Sequence, residues 1–310
     1  MICCPTLPPK GRLYMRSNHS FSRRPHGMHD LAFSKSYNYM FKRTVYSNEN
    51  TQSWFYEAFD DTDKRTVGVK KVHVQYKDLA RAQAEANVIH TLSNVTTQIP
   101  ALYNTHYDRA NEMYYLIMQY IDGGVTLRKY MESSLPVDAA IDTMIKICDV
   151  LLQLHKKRFQ HRDLKPENIM VKDNQVFIID FNISTSVPFK GEGTDLYRAP
   201  EQTEGMRQIG LNAIDMFSLG VILYEFVTGK PPVRGEDYSY RRGADEWKFF
   251  VSAIDKRPEL SPELNDVIMT CLKLNPLHRF KDMWQLKQAL LQTKRGMRAS
   301  GGAQQRNHSY

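Results

Sequence analysis

The sequence holds only four cysteines in 310 residues, at Cys3, Cys4, Cys148 and Cys271. Their number and spacing exclude a disulfide scaffold or a zinc knuckle and fit a reducing compartment. No apolar run approaches the ~18 residues that cross a bilayer. The longest, Phe217 to Val227, is broken by Ser218, Gly220 and Glu225. The N-terminus lacks the charged, apolar and small-residue regions of a secretory signal. It also lacks the glycine after Met1 that myristoylation would need beside any acylation of Cys3 or Cys4. A cytoplasmic location is expected, with the nucleus left open. Internal repeats are absent.

The central body has no excess positive charge, although the chain carries +8 overall. Lys10, Arg12, Arg16, Arg23, Arg24 and Lys35 outweigh Asp30 at one end. Lys294, Arg295, Arg298 and Arg306 stand without an acid at the other, which leaves the body near neutral. Solvated ends are the simpler reading and an anionic partner for them the alternative, and the pattern argues against nucleic-acid binding by the body.

At 42% hydrophobic, the chain can bury a sizeable core, enough for two ordinary domains or one two-lobed unit. Residues 1–40, rich in Pro, Ser, Arg and His, read as a basic, disordered arm, and 293–310 as a basic, disordered tail. Between them, Tyr39–Tyr46, Trp54–Phe59, Thr66–Val74 and Tyr114–Tyr120 are strand-like. Leu79–Leu92 has helical spacing, with Asp78 at its N-cap position. Ala139–Lys157 places Ile141, Ile145, Cys148, Leu151 and Leu152 on one helical face, which makes Cys148 a core residue. A hairpin is expected at Met170–Lys172 and Val176–Ile179 around Asp173-Asn174. Helices are expected at Asp215–Thr228, Pro262–Leu272 and Met283–Leu291. Strands in front and helices behind suggest two unequal lobes.

The chemistry concentrates in His161-Arg162-Asp163-Leu164-Lys165-Pro166-Glu167-Asn168 and, beyond the hairpin, in Asp180-Phe181-Asn182. Phosphoryl transfer asks mainly for positioning and charge neutralisation. Asp163 can orient or accept the proton of an attacking hydroxyl, and Lys165 can neutralise the migrating group. Asn168 and Asp180 offer the hard oxygen ligands that Mg²⁺ prefers.

These two motifs resemble the catalytic loop and magnesium-binding triplet of protein kinases. Gly193–Glu201 resembles the end of a kinase activation segment. Asp215–Gly220 resembles the buried helix bracing the catalytic loop, and Asn275–Phe280 the late motif whose arginine pairs with the Ala-Pro-Glu acid. The resemblance covers roughly residues 41 to 292. It implies a two-lobed α+β fold, with a strand-rich lobe at 41–121 and a helical lobe at 122–292, and transfer of the γ-phosphoryl group of Mg-ATP to a protein. Lys165 and Thr194 favour Ser or Thr as acceptor. It further implies that Thr194 positions substrate and that Glu201 pairs with Arg279.

In Val67-Gly68-Val69-Lys70, alternation separates Lys70 from its competitor Lys71, and the family's small residue two before the lysine selects Lys70. Its helical partner is expected at Glu85. By the same resemblance Met118 is the gatekeeper, the Gln119 carbonyl and Ile121 amide grip the adenine edge, and Phe55 and Met170 sandwich the ring. Glu167 and Glu225 occupy positions that select basic residues before the phosphosite in some relatives.

Departures accompany this match. The family's three loop glycines fall at Asn48, Asn50 and Ser53, Gly68 stands where alanine is usual, and Asn182 replaces the triplet's glycine. Asn is among the side chains that best tolerate left-handed backbone, so the loop shape is expected to persist with weaker ATP binding. No Ser or Thr lies between Val187 and Gly193, so activity without loop phosphorylation is expected, with Glu192 supplying a fixed charge to Arg162. A pseudokinase scaffold and a small-molecule phosphotransferase of related fold are the rival readings.

Overall fold

The computed structural model describes residues 33, 37–133, 135–181, 193–194, 196–204, 212–232 and 251–306. Asn182, Ser184, Thr185, Ser186, Glu192, Cys3 and Cys4 lie outside them.

Five antiparallel strands form the front sheet, in the order β1-β2-β3-β5-β4. They are β1 (Tyr39–Asn48), β2 (Ser53–Asp60), β3 (Arg65–His73), β4 (Leu102–Asp108) and β5 (Met113–Gln119). Helix α1 (Leu79–Ser93) packs beside it. Period-two alternation divides β3. Val67 and Val69 join Tyr39, Tyr56, Ala58, Tyr115 and Ile117 in a small outer core, while Gly68 and Lys70 face the other way.

That outer core has a contributor from the expected N-terminal arm. Phe33 is buried and stacks on Tyr115, with ring centroids 3.9 Å apart and planes 8° from parallel. Phe33 thus belongs to the aromatic core on this face of the sheet, where ring stacks on ring.

The helical half contains α2 (Leu127–Met131), α3 (Val137–Lys156), α4 (Pro200–Glu204), α5 (Ala213–Thr228), α6 (Ala253–Lys256), α7 (Pro262–Cys271) and α8 (Met283–Arg306). A small sheet, β6 (Val125–Thr126), β7 (Ile169–Lys172) and β8 (Gln175–Ile178), lies at its front. The β7–β8 turn puts Asp173 and Asn174 at φ 46° and 61°, conformations that Asp and Asn adopt more readily than most residues.

Helix α5 is the centre of this half, buried from Asp215 to Glu225. Gly220 lets α7 approach closely: a Cβ there would lie 2.5 Å from that of Cys271. Cys148 and Cys271 are both buried among apolar neighbours, as expected for Cys148.

Three details differ from the sequence reading. The buried stripe of α3 is centred on Met144, Ile147, Val150, Leu151 and Leu154, leaving Ile145 and Leu152 half-buried. Asp78 stands at the α1 N-cap position without a side-chain capping bond, because a 3₁₀ turn at Tyr76–Asp78 leads into the helix. Helix α8 runs past 292, where an unstructured tail was expected. Thr293 is buried, Met297 packs on the core and Lys294 pairs with Asp142 of α3. The basic residue that suggested a solvated tail thus ties α8 to a neighbouring acid.

Candidate active site

Strand β3, helix α1 and the residues after β8 converge on one amine. Lys70 Nζ lies 2.7 Å from Glu85 Oε1 and 3.0 Å from Asp180 Oδ1. Burial alone would discharge this amine, but the Asp180 and Glu85 carboxylates outweigh it and hold the lysine above its ordinary range. Asp180 is correspondingly lowered: burial favours its neutral form, and Lys70 overrides that. Glu85 is pushed upward by burial against the pull of Lys70. The competitor, Lys71, is on the opposite face with its ammonium 5.1 Å from the Trp54 ring centroid, as alternation required.

The catalytic-loop residues gather around Asp163. Its Oδ1 accepts from the Thr194 backbone N–H at 2.8 Å and from the Thr194 hydroxyl at 2.7 Å. Lys165 Nζ donates to the same hydroxyl at 3.0 Å and lies 3.5 Å from Asp163 Oδ2. The Asn168 amide donates to the Asp163 carbonyl at 2.9 Å, which leaves the side-chain oxygen as its ligating end. Gly193, at φ 83°, makes the approach of Thr194 possible, since a Cβ there would sit 3.0 Å from the Arg162 carbonyl oxygen.

A second layer fixes the loop from beneath. Asp215 is fully buried and accepts from the backbone N–H groups of His161 at 3.0 Å and Arg162 at 2.8 Å, with His155 Nε2 at 2.8 Å. Burial pushes its carboxyl up, but the His155 hydrogen bond and the nearby imidazoles hold it below the ordinary carboxylate range. Arg162 and Asp180 adopt φ 63° and 67°, left-handed conformations costly for side-chain-bearing residues and characteristic of functional sites. Glu201 and Arg279 form a buried, two-pronged pair at 2.7 and 2.9 Å.

The other expected residues lie on β2, at and just beyond the end of β5, and on β7. Met118 is buried at the end of β5 beside Gly68 in the strand register, and Gln119 and Ile121 follow. The Gln119 N–H is engaged by the Ala101 carbonyl at 2.8 Å. Met170 in β7 reaches Gly124, where a Cβ would lie 3.1 Å from its terminal methyl. Phe55 crosses Gly68 so closely that a Cβ on Gly68 would meet its ring tip at 2.4 Å. The departure at Gly68 is thus matched by its neighbour: the methyl it lacks leaves room for the Phe55 ring.

The phosphate-loop expectation changes in detail. The left-handed residue is Gln52, at φ 47°, and none of Asn48, Asn50 and Ser53 has positive φ. Asn48 acts through its side chain instead, accepting from the N–H groups of Asn50 at 3.0 Å and Thr51 at 3.2 Å. This is the local turn chemistry that asparagine provides without positive φ.

Sequence reasoning missed Gln202, which donates to the Arg162 carbonyl at 2.9 Å and accepts from the Ala199 N–H at 2.9 Å. It also missed Arg128, which bridges Glu167 and Glu225 at 2.8 and 2.6 Å. No local pattern marks either residue.

Among the described residues, no cluster of three or more His, Cys, Asp or Glu could cage a metal. Asn168 and Asp180 each end in an oxygen of the hard type that Mg²⁺ prefers. No helix of the described residues is long and apolar enough to cross a membrane.

Comparison with known proteins agrees with this geometry. The chain is 31% identical over 197 residues to serine/threonine-protein kinase PknB of Mycolicibacterium smegmatis, covering 59% of this chain and 31% of that protein. It is 30% identical over 260 residues to probable serine/threonine-protein kinase SCO3848 of Streptomyces coelicolor, covering 75% of this chain and 36% of the relative. Aurora kinase A-A of Xenopus laevis is 33% identical over 196 residues, covering 58% of this chain and 46% of that protein. The chain thus spans between about a third and a half of the length of these relatives. The protein kinase domain family matches residues 51–292, more than half of the chain, and to that family the chain belongs.

Proposed function

We propose that this chain is a Ser/Thr protein kinase moving the γ-phosphoryl group of Mg-ATP to a hydroxyl of a protein substrate, in a domain spanning about 41 to 292. What supports this reading is a pair of clusters, Asp163 with Lys165 and Thr194, and Lys70 with Glu85 and Asp180, with Lys165 acting electrostatically on Asp180. Lys70, held by Glu85, binds the nucleotide phosphates. Asn168 and Asp180 would hold Mg²⁺, which when bound neutralises charge on the phosphate oxygens. Phe55, Met118, Gln119, Ile121 and Met170 receive the base.

Asp163 orients the acceptor hydroxyl and takes its proton as the new oxygen–phosphorus bond forms and the bond to the leaving diphosphate breaks. Lys165 neutralises the migrating group, and Thr194 ties base and lysine into one frame. Asp215 and Arg279 act further back, on the loop and on Glu201. The segment after Asn182 offers no Ser or Thr between Val187 and Gly193, so catalysis proceeds without loop phosphorylation.

Radiolabelled transfer from Mg-ATP to a generic acceptor protein tests this. The wild type transfers label, and Lys70→Met and Asp163→Asn abolish transfer while remaining folded. A folded wild type that transfers none at millimolar Mg-ATP would favour the pseudokinase reading instead.

A further inference from the structure

Beside the acceptor site, four side chains from distant stretches of the chain meet. Arg128, near the start of α2, donates its Nε–H to Glu167 at 2.8 Å and an Nη1–H to Glu225 at 2.6 Å. Its Nη2 donates to the Tyr197 hydroxyl, which in turn donates to the second oxygen of Glu225 at 2.6 Å. Glu167 is two residues beyond Lys165, and Tyr197 is three beyond Thr194, so the cluster adjoins the Asp163 frame.

The cluster grades from interior to surface. The Glu225 side chain is 8% exposed, Arg128 33% and Glu167 46%. A guanidinium is a rigid fork of N–H donors suited to carboxylates, and here it lies between a buried acid and an open one. An incoming basic side chain would need the same oxygens. With Arg128 in place the three charged groups sum to one negative charge; without it they would sum to two.

We propose that Arg128 is a specificity-determining residue, occupying the acidic pair Glu167 and Glu225 from within the chain, so that acceptor segments are selected without a basic residue beside the phosphosite. This reverses the sequence expectation for those two acids, and it rests on the protein kinase reading above. Burial works to lower the basicity of Arg128, but the Glu225 and Glu167 hydrogen bonds outweigh it, so the guanidinium stays charged. Such a device sets specificity by blocking one attractive contact, a form of selection against a class of partner.

The test uses the full chain and acceptor peptides in which one Arg is walked through an otherwise alanine-flanked Ser or Thr sequence, with kcat/KM as the readout. For the wild type, the Arg-to-Ala ratio stays under about fivefold at every position, the range of exposed charge pairs. In Arg128→Ala the ratio at a position before the phosphosite rises about tenfold or more, as expected for a new charge-assisted hydrogen bond. Methylguanidinium in the buffer brings it back towards the wild-type value, a rescue that general loosening of the fold would not give.

A wild type already favouring Arg by more than about tenfold overturns the proposal, as does a folded Arg128→Ala with a flat profile. Should Arg128→Ala not fold, Glu167→Gln decides. The wild-type profile persists if the substrate does not read that acid, and loss of a basic preference overturns the proposal. Absence of transfer to every acceptor, generic proteins included, instead overturns the kinase reading and this inference with it.

Discussion

Replacing Glu201 by Ala is expected to strand a charge in the interior. The Arg279 side chain is 0% exposed and that of Glu201 4%. The guanidinium also donates to the carbonyls of Ala213 at 2.7 Å, Lys273 at 2.8 Å and Leu274 at 3.3 Å, and its carbon lies 4.9 Å from the Phe217 ring centroid. Those carbonyls keep the arginine in place when its carboxylate is removed, so the positive charge cannot escape to solvent. Breaking a buried pair in this way costs about 3–5 kcal/mol. For a domain of this size each kcal/mol lowers Tm by roughly 2–4 °C, which gives a fall of about 6–20 °C. Differential scanning calorimetry of wild type, Glu201→Ala, Arg279→Met and the Glu201→Leu/Arg279→Met double variant measures it. The double variant should be more stable than either single one, because an apolar pair carries no unpaired charge. A single-variant shift below about 2 °C, or a double variant no better than the worse single one, would refute the reasoning.

Two other outcomes follow from the Gly68–Phe55 contact and from Asp215. Gly68→Ala places a methyl 2.4 Å from the Phe55 ring tip, so the ring must swing away, and nucleotide affinity should fall about tenfold; Phe55→Val in the same chain should restore it, measured by nucleotide titration. Asp215 has a lowered folded-state pKa, so its ionisation contributes stability that is fully present above its ordinary value near 3.8 and is lost as pH falls through the folded value. Asp215→Asn should flatten that acid limb in urea melts at successive pH values, and an unchanged limb would contradict the assignment.

How much of this was legible in the residues depended on whether meaning was local. Alternation along Val67–Lys71 separated the two lysines because a strand has a strict period of two, and the structure sends them to opposite faces. Strand β4 was missed: Leu102–Asp108 contains exposed Tyr103 and Asn104 at the sheet edge, where burial imposes no clean pattern. The motif residues Asp163, Asn168, Asp180 and Thr194 could be named from their order, and the structure brings Asp163, Asn168 and Thr194 into direct contact. Arg128 could not be named, because its partners lie 39 and 97 residues away and no spacing rule connects them. Gly68 was visible only as a departure; its contact with the ring of Phe55, which pairs with Lys70 two residues further along, shows only in the folded sheet.

The position of Phe33 bears on how the protein can be cut. Its ring covers Tyr115 on the outer side of the front sheet, and β1 begins only at Tyr39. A fragment started at residue 51, the first that the family matches, would discard both. Strand β2 would then present an unpaired edge beside a bare aromatic surface, an invitation to intermolecular pairing. Recombinant fragments begun upstream of residue 33 should stay monodisperse where shorter ones precipitate.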